Sequence, residues 1–248
     1  MIHIKQDLIK MNKVKTVKTI KVTYNEKGEK EVKDLELSRY RANGNIYSYT
    51  GMNYRKDFIY NNKDLLVTSI HRRKNSRGIS IQQISNYNYD KDNNLVSIYR
   101  NGYLEKLYKS GVEEYYINDK LERKYIFNDK KLDVRREYYC SNGDISAIHY
   151  FKHNTDDKII EKETESTITE YFYNEDGKFA GLKLINKKDN TILQELHYHY
   201  ENNKIKILSP LDDEVRIIEY NEKELPIKDS YYKGEVLKYE YITEYIYY

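Results

Sequence analysis

This sequence predicts an all-β fold: an elongated antiparallel β-meander of many short strands in a curved repeat sheet, open or partly rolled. Three observations carry that expectation. A short pattern of an aromatic residue, a polar turn and an aliphatic residue recurs along the chain. In the stretch Tyr115 to Phe151, taking Tyr116, Phe127, Tyr139 and Tyr150 as equivalent, it returns after 11, 12 and 11 residues. Between turns the side chains alternate in character with period two, the signal of a half-buried antiparallel strand. The turns themselves are short and rich in Asn, Asp and Gly, which tolerate the positive φ that tight hairpins demand.

The central units show the alternation most clearly. Leu121, Arg123, Tyr125 and Phe127 share one parity against Glu122, Lys124 and Ile126. In the next unit Leu132, Val134, Tyr138 and Cys140 are the inward candidates, and Cys140 reads as a small core residue. Ile145, Ala147, His149 and Phe151 follow on the same principle. A helix would space its apolar residues three and four apart, and these are not so placed. Connections of two to five residues make neighbours in sequence neighbours in the sheet.

Earlier copies begin at Tyr24-Asn25, Tyr40-Arg41, Tyr60-Asn61 and Tyr89-Asp90, and later ones at Tyr173-Asn174, Tyr200-Glu201 and Tyr220-Asn221. Longer gaps between the later copies predict intervening strands whose turns have drifted. Residues 1–22 are Lys-rich, and Val14, Val17, Ile20 and Val22 do not keep one period, so the segment is read as a basic N-terminal arm or first strand. Residues 23–248 are read as a single β-repeat domain, since no linker or shift in composition divides them.

Composition sets further bounds. With 29 Tyr, no Trp, 2 Pro and a mean hydropathy of −0.93, a thick aliphatic core is not expected. Tyr suits a thin sheet because its ring packs across strands while the hydroxyl stays wet, each pair contributing about 0.2 to 1 kcal/mol. The 43 basic and 40 acidic residues are interleaved, so the net charge of +3 implies no nucleic-acid partner. The single cysteine permits no intrachain disulfide. No uninterrupted apolar segment suits a signal peptide or a membrane span, so a cytoplasmic location and no membrane association are expected.

Searching for chemistry gives little. His197 and His199 point to one face of a strand, and Glu195 and Glu201 share it, so a zinc-like site can be drawn. The favoured reading is that Leu196, Tyr198 and Tyr200 pack and leave these groups wet. No nucleophile elbow, phosphate loop, dinucleotide fingerprint or cysteine-pair metal motif is present. The expectation is therefore no enzyme, no catalytic residues, no cofactor and no metal. The strongest basic run, His71-Arg72-Arg73-Lys74-Asn75-Ser76-Arg77-Gly78, reads as a solvated hairpin loop and as a candidate contact for an acidic protein. Arg72, Arg73 and Lys74, with Tyr245 and Tyr247 of the Tyr-rich terminal strand, are the candidate partner-binding residues.

The pattern Tyr-Asn/Asp-x-x-Gly-x-Leu/Phe, at Tyr24 to Lys30, Tyr89 to Leu95 and Tyr173 to Phe179, resembles the YD repeats of Rhs-type bacterial proteins. Tighter units such as Tyr99-Arg100-Asn101-Gly102-Tyr103-Leu104 are similar to MORN-type variants of small bacterial antitoxin-like proteins. The resemblance implies a non-catalytic protein-binding repeat protein, of the kind that neutralises a bacterial toxin as a cytoplasmic immunity protein or antitoxin. Alone it would be monomeric. Two other classes stay open: an exported repeat protein that binds glycan through exposed Tyr, and a structural scaffold.

Overall fold

The computed structural model describes residues 6–25, 27–51, 53–74 and 80–248. A short helix, α1 (Gln6–Met11), precedes twenty strands. They are β1 (Val14–Tyr24), β2 (Lys30–Tyr40), β3 (Ile46–Gly51), β4 (Tyr54–Tyr60), β5 (Leu66–Lys74), β6 (Ser80–Tyr89) and β7 (Leu95–Arg100). Next come β8 (Tyr103–Lys109), β9 (Val112–Ile117), β10 (Lys120–Phe127), β11 (Asp133–Tyr139), β12 (Ile145–His153), β13 (Ile159–Glu163) and β14 (Thr167–Tyr173). The last are β15 (Phe179–Asn186), β16 (Ile192–Glu201), β17 (Lys204–Ser209), β18 (Glu214–Tyr220), β19 (Pro226–Lys233) and β20 (Val236–Tyr247).

All twenty strands belong to one sheet. The first strand, β1, is bonded to β2 on one side and to β20 on the other, both antiparallel. The two ends of the meander therefore meet. The expectation of an open or partly rolled sheet is corrected: in its connectivity this is a closed antiparallel barrel. Closure has a physical reason, since β1 and β20 as free edges would each expose a long row of unpaired backbone groups.

The turns obey the sequence pattern closely. Asn61 accepts hydrogen bonds on its side-chain oxygen from the backbone N–H of Lys63 (2.9 Å) and Leu65 (3.0 Å). Asn25, Asp90, Asn128, Asn154 and Asn221 do the same at their own turns. The side chain thus holds the loop in shape. Tyrosines that enter these turns also reach backbone: Tyr89 donates to the Leu66 carbonyl (2.8 Å) and Tyr173 to that of Ile159 (2.9 Å).

The chain divides into two compact units. The first comprises Met1–Ile59, Ile70–Gln82 and Leu196–Tyr248. Its core is small: Ile9, Val14, Val17 and Leu225, flanked by Leu8, Tyr40 and Tyr245. Val14 and Val17 reach the same cluster although three residues apart on a strand. The pairing of β1 with β20 shifts between Val14 and Thr16, and this bulge reverses the parity. That shift explains why the segment shows no single period. Gly44 has φ +86°, and a Cβ there would lie 2.8 Å from the Lys10 Cβ, so the close seat of α1 requires glycine. The chain ends are tied by the Tyr248 N–H donating to the Lys13 carbonyl (2.9 Å).

The second unit comprises Tyr60–Ser69 and Gln83–Glu195. Among its described residues Phe151, at 8% exposure, is the one buried large apolar side chain. One face is instead a layer of rings and cations set by register: Ile98, Lys106, Tyr115, Arg123 and Tyr138 stand opposite one another across β7 to β11. The other carries buried carboxylates, Glu114 with Lys109 (2.8 Å) and Glu137 with Arg135 (2.8 Å). Cys140 is corrected from core to surface: it is exposed and opens the turn to Asp144. The register shift between Tyr138 and Tyr139 ends the alternation just before it.

Candidate functional site

The residues singled out from sequence fall into two places in the first unit. Arg72 is engaged across strands, paired with Asp57 and donating to Gln82 (3.2 Å). Arg73 and Lys74 are exposed at the end of β5, while residues 75–79 of the basic run lie outside the described residues. Tyr245 is turned into the core cluster and donates to the Pro226 carbonyl (2.6 Å), and burial pushes its hydroxyl far above the usual tyrosine range. Tyr247 lies at the rim with the Lys223 ammonium 3.8 Å from its ring centre. Arg73, Lys74 and Tyr247 are thus presented to solvent, and Tyr245 is not.

A better-formed site lies in the second unit. A cavity of about 530 Å³ opens beside the β7–β8 and β9–β10 hairpins, lined by Arg100, Tyr103, Glu105, Tyr115, Glu122 and Arg123 among others. Both hairpins turn in two residues: Asn101 and Gly102 have φ +51° and +90°, Asn118 and Asp119 +49° and +62°. Two consecutive positive φ values define the type I′ turn, which follows the natural strand twist. Asn101 is further locked to β6, its N–H donating to the Ile84 carbonyl and its side chain accepting from the Ile84 N–H, each at 2.8 Å. The turns therefore hold Tyr103 (57% exposed) and Ile117 (54% exposed) rigidly at the mouth.

The lining residues Tyr115, Arg123 and Arg100 are held by neighbours in turn. Lys106 pairs with Glu113 (2.7 Å) and lies 4.3 Å from the centre of the Tyr108 ring and 4.4 Å from that of Tyr115. Burial alone would lower its basicity, but hydrogen bonding to Glu113 and to the two tyrosines outweighs burial and holds it above its ordinary value. Arg123 pairs with Glu122 (3.2 Å), stands 5.2 Å from the Tyr115 ring and keeps a buried Nε with no partner. Arg100 pairs with Glu105. Elsewhere in the unit the Arg136 guanidinium is held between the rings of Tyr125 (4.6 Å) and Phe151 (4.7 Å). What this arrangement offers is ring surface, guanidinium donors and carboxylate acceptors in fixed positions, the chemistry of recognition. Among the described residues no group of three His, Cys, Asp or Glu could hold a metal ion. No helix among them is long and apolar enough to cross a membrane.

Sequence reasoning did not single out this cavity. Its signal was present in Asn101-Gly102, a strong I′ hairpin dipeptide with arginine before it and tyrosine after it. The longer basic run at Arg72 is the more conspicuous feature of the linear sequence.

No described protein family matches this sequence, and no curated protein matches it. Among solved structures the chain is similar to one in the crystal structure of TcdB2-TccC3-Cdc42, at 12% identity and a TM-score of 0.31. That likeness covers 86% of this chain and 12% of the other, so the chain spans about an eighth of that protein. The Photorhabdus luminescens Tc holotoxin pore gives 12% identity and a TM-score of 0.32 over 84% of this chain and 15% of that one. A porin-like protein from Bacteroides uniformis gives 12% identity and 0.35 over 94% and 98%. At these scores the likenesses carry no argument about function.

Proposed function

We propose that this is a non-catalytic binding protein whose partner is another protein, engaged at the hairpin-end cavity of the second unit. The observation that carries this reading is the pair of large exposed side chains, Tyr103 and Ile117, fixed by I′ turns around a cavity that also presents Arg100 and Arg123. Tyr and Arg anchors beside a pocket are the usual carriers of binding energy, and a rim held rigid before binding loses little entropy on association. The finer role, a cytoplasmic antitoxin or immunity protein that neutralises a bacterial toxin, draws its support from the repeat resemblance of the Tyr99 to Leu104 unit.

The test is to isolate the tagged protein from its native cells, identify any stoichiometric companion by mass spectrometry, and titrate the purified pair by calorimetry. Tyr103→Ala with Ile117→Ala is expected to weaken binding about 30-fold or more. Arg73→Ala with Lys74→Ala, at the basic stretch, should leave it within about threefold. The reverse result would move the interface to the basic stretch. A companion that is harmless when expressed alone would remove the antitoxin role while leaving the binding role standing.

A further inference from the structure

A second cavity, in the first unit, has a different make-up. It measures about 240 Å³ and is lined by Tyr198, Ile207, Val215, Tyr231, Lys238 and Tyr239, among others. Its wall is a ladder across three strands, because Arg216 stands opposite Tyr231 and Tyr231 opposite Tyr239. The Tyr231 and Tyr239 rings are stacked, 4.4 Å apart and 25° from parallel. Arg216 lies 5.0 Å from the Tyr231 ring, and Lys21 lies 4.5 Å from that of Tyr239. Tyr241 meets both rings edge-on at 80°. Both faces of each ring are thus taken, by the other ring or by a cation, and what the stack can offer the cavity is ring edges.

The charges around this cavity are mostly spoken for. Arg216 gives two hydrogen bonds of 2.8 Å to Asp229, which is fully buried. Lys233 pairs with Glu214 (3.7 Å) and donates to the Asp212 carbonyl. Lys238 is exposed and, among the described residues, has no carboxylate partner. Its place is set by a β-bulge: Tyr231 pairs with Tyr239 and Tyr232 with Leu237, which leaves Lys238 as the extra residue. A bulge re-aims a side chain, and this one lets the consecutive residues Lys238 and Tyr239 line one cavity.

We propose that this cavity binds a small planar aromatic molecule carrying one negative charge, its ring face laid across the exposed edges of Tyr231 and Tyr239 and its anionic group at Lys238. The volume suits a single substituted ring. Aliphatic contacts from Ile207 and Val215 cover the apolar part, and one uncommitted cation answers one anionic group. The site is separate from the cavity assigned to the protein partner, and its occupation does not depend on that partner.

The test uses the full chain and three probes that differ by one property each: 3-phenylpropionate, its neutral amide, and 3-cyclohexylpropionate. Saturation-transfer NMR and calorimetry measure binding. The phenyl acid is expected to bind, with signal transferred to its ring protons. The amide should bind about three- to tenfold more weakly for want of the charge at Lys238. The cyclohexyl acid should lose about fivefold or more, because it has no aromatic face to receive the tyrosine ring edges. Lys238→Met should bring the acid down to the amide and leave the amide unchanged, and Tyr239→Leu should weaken both, with the melting curve confirming that each variant is folded. Absence of binding, equal affinity for acid and amide, or an unaltered Lys238→Met would each overturn the assignment. A peptide ending in phenylalanine, which presents the same ring and carboxylate, would overturn the small-molecule reading if it bound more tightly than the free acid.

Discussion

The Arg216–Asp229 pair should be the costliest single interaction to break in the first unit. Asp229 is 0% exposed, and both its carboxylate oxygens accept from Arg216 at 2.8 Å. Arg216→Met keeps an unbranched apolar side chain but removes both donors and the guanidinium over the Tyr231 ring. A buried carboxylate is then left without a partner, a change that typically costs about 3 to 5 kcal/mol. The Arg216 side chain is 31% exposed, so water can reach part of the vacated space, and the lower end applies: about 3 kcal/mol. For a chain of this length that is a fall in Tm of about 6 to 12 °C. The double variant Arg216→Met with Asp229→Leu removes the stranded charge as well and should recover to within about 1 kcal/mol of the parent. Urea unfolding followed by far-UV circular dichroism measures both, and the single variant Asp229→Leu completes the double-mutant cycle. A loss below about 1 kcal/mol for Arg216→Met, or a double variant no better than the single, would refute the reasoning.

Three further outcomes are expected. Leu225→Ala empties the centre of the small Ile9–Val14–Val17 cluster, where Leu225 is 0% exposed, and should cost about 2 to 5 kcal/mol in the same urea assay. Burial holds the Tyr231 and Tyr139 hydroxyls up at about 12, and those of Tyr49 and Tyr245 higher still, against an ordinary 10.0. Their stabilising contribution is complete below pH 10 and is lost as pH rises through about 12, so phenolate absorbance should lag that of the urea-unfolded chain and then rise cooperatively; overlaid curves would sink this expectation. Lys131 holds φ +63° in its turn and its N–H bonds to the Asn128 carbonyl (2.8 Å), so Lys131→Gly keeps the bond, relieves the strain and should add about 0.5 to 1 kcal/mol; a drop in Tm would show the strain to be absent.

Local order was legible in the sequence, and long-range order was not. The strand alternation and the Asn or Asp at the head of many turns announced the meander, because both act over fewer than ten residues. Closure did not show, since β1 meets β20 across more than 200 residues of chain and no local signal marks that pairing. Bulges hid the rest. At Val14 and Val17 a parity reversal concealed a core face, beside Cys140 a register shift concealed a surface residue, and at Lys238 an extra residue created part of a cavity wall. A bulge has no reliable sequence signature apart from the broken period it causes, and a broken period reads as the absence of a strand. The candidate sites suffered for the same reason: a run of like charge is visible in one dimension, whereas Arg100, Tyr115 and Arg123 come together only through register.

Closure also constrains how such a protein can recognise anything. Once β1 lies between β2 and β20, the ends of the meander offer no strand edge, so a partner cannot dock there by adding a strand. Recognition is left to hairpin ends and to side chains on the faces of the sheet. In each unit those side chains are the same ones that replace an aliphatic core: Lys106, Tyr115 and Arg123 in the second, Arg216, Tyr231, Tyr239 and Lys21 in the first. A substitution within either ladder must therefore change stability and binding together. Only residues that stand on the rim without bracing a ladder can separate the two effects. Tyr103, held by its turn and 57% exposed, and Lys238, set out by its bulge, are such positions. Binding lost at Tyr103 or Lys238 with an unchanged Tm would assign recognition to the cavities, whereas losses that always track Tm would reduce both ladders to the thin core that holds the sheet together.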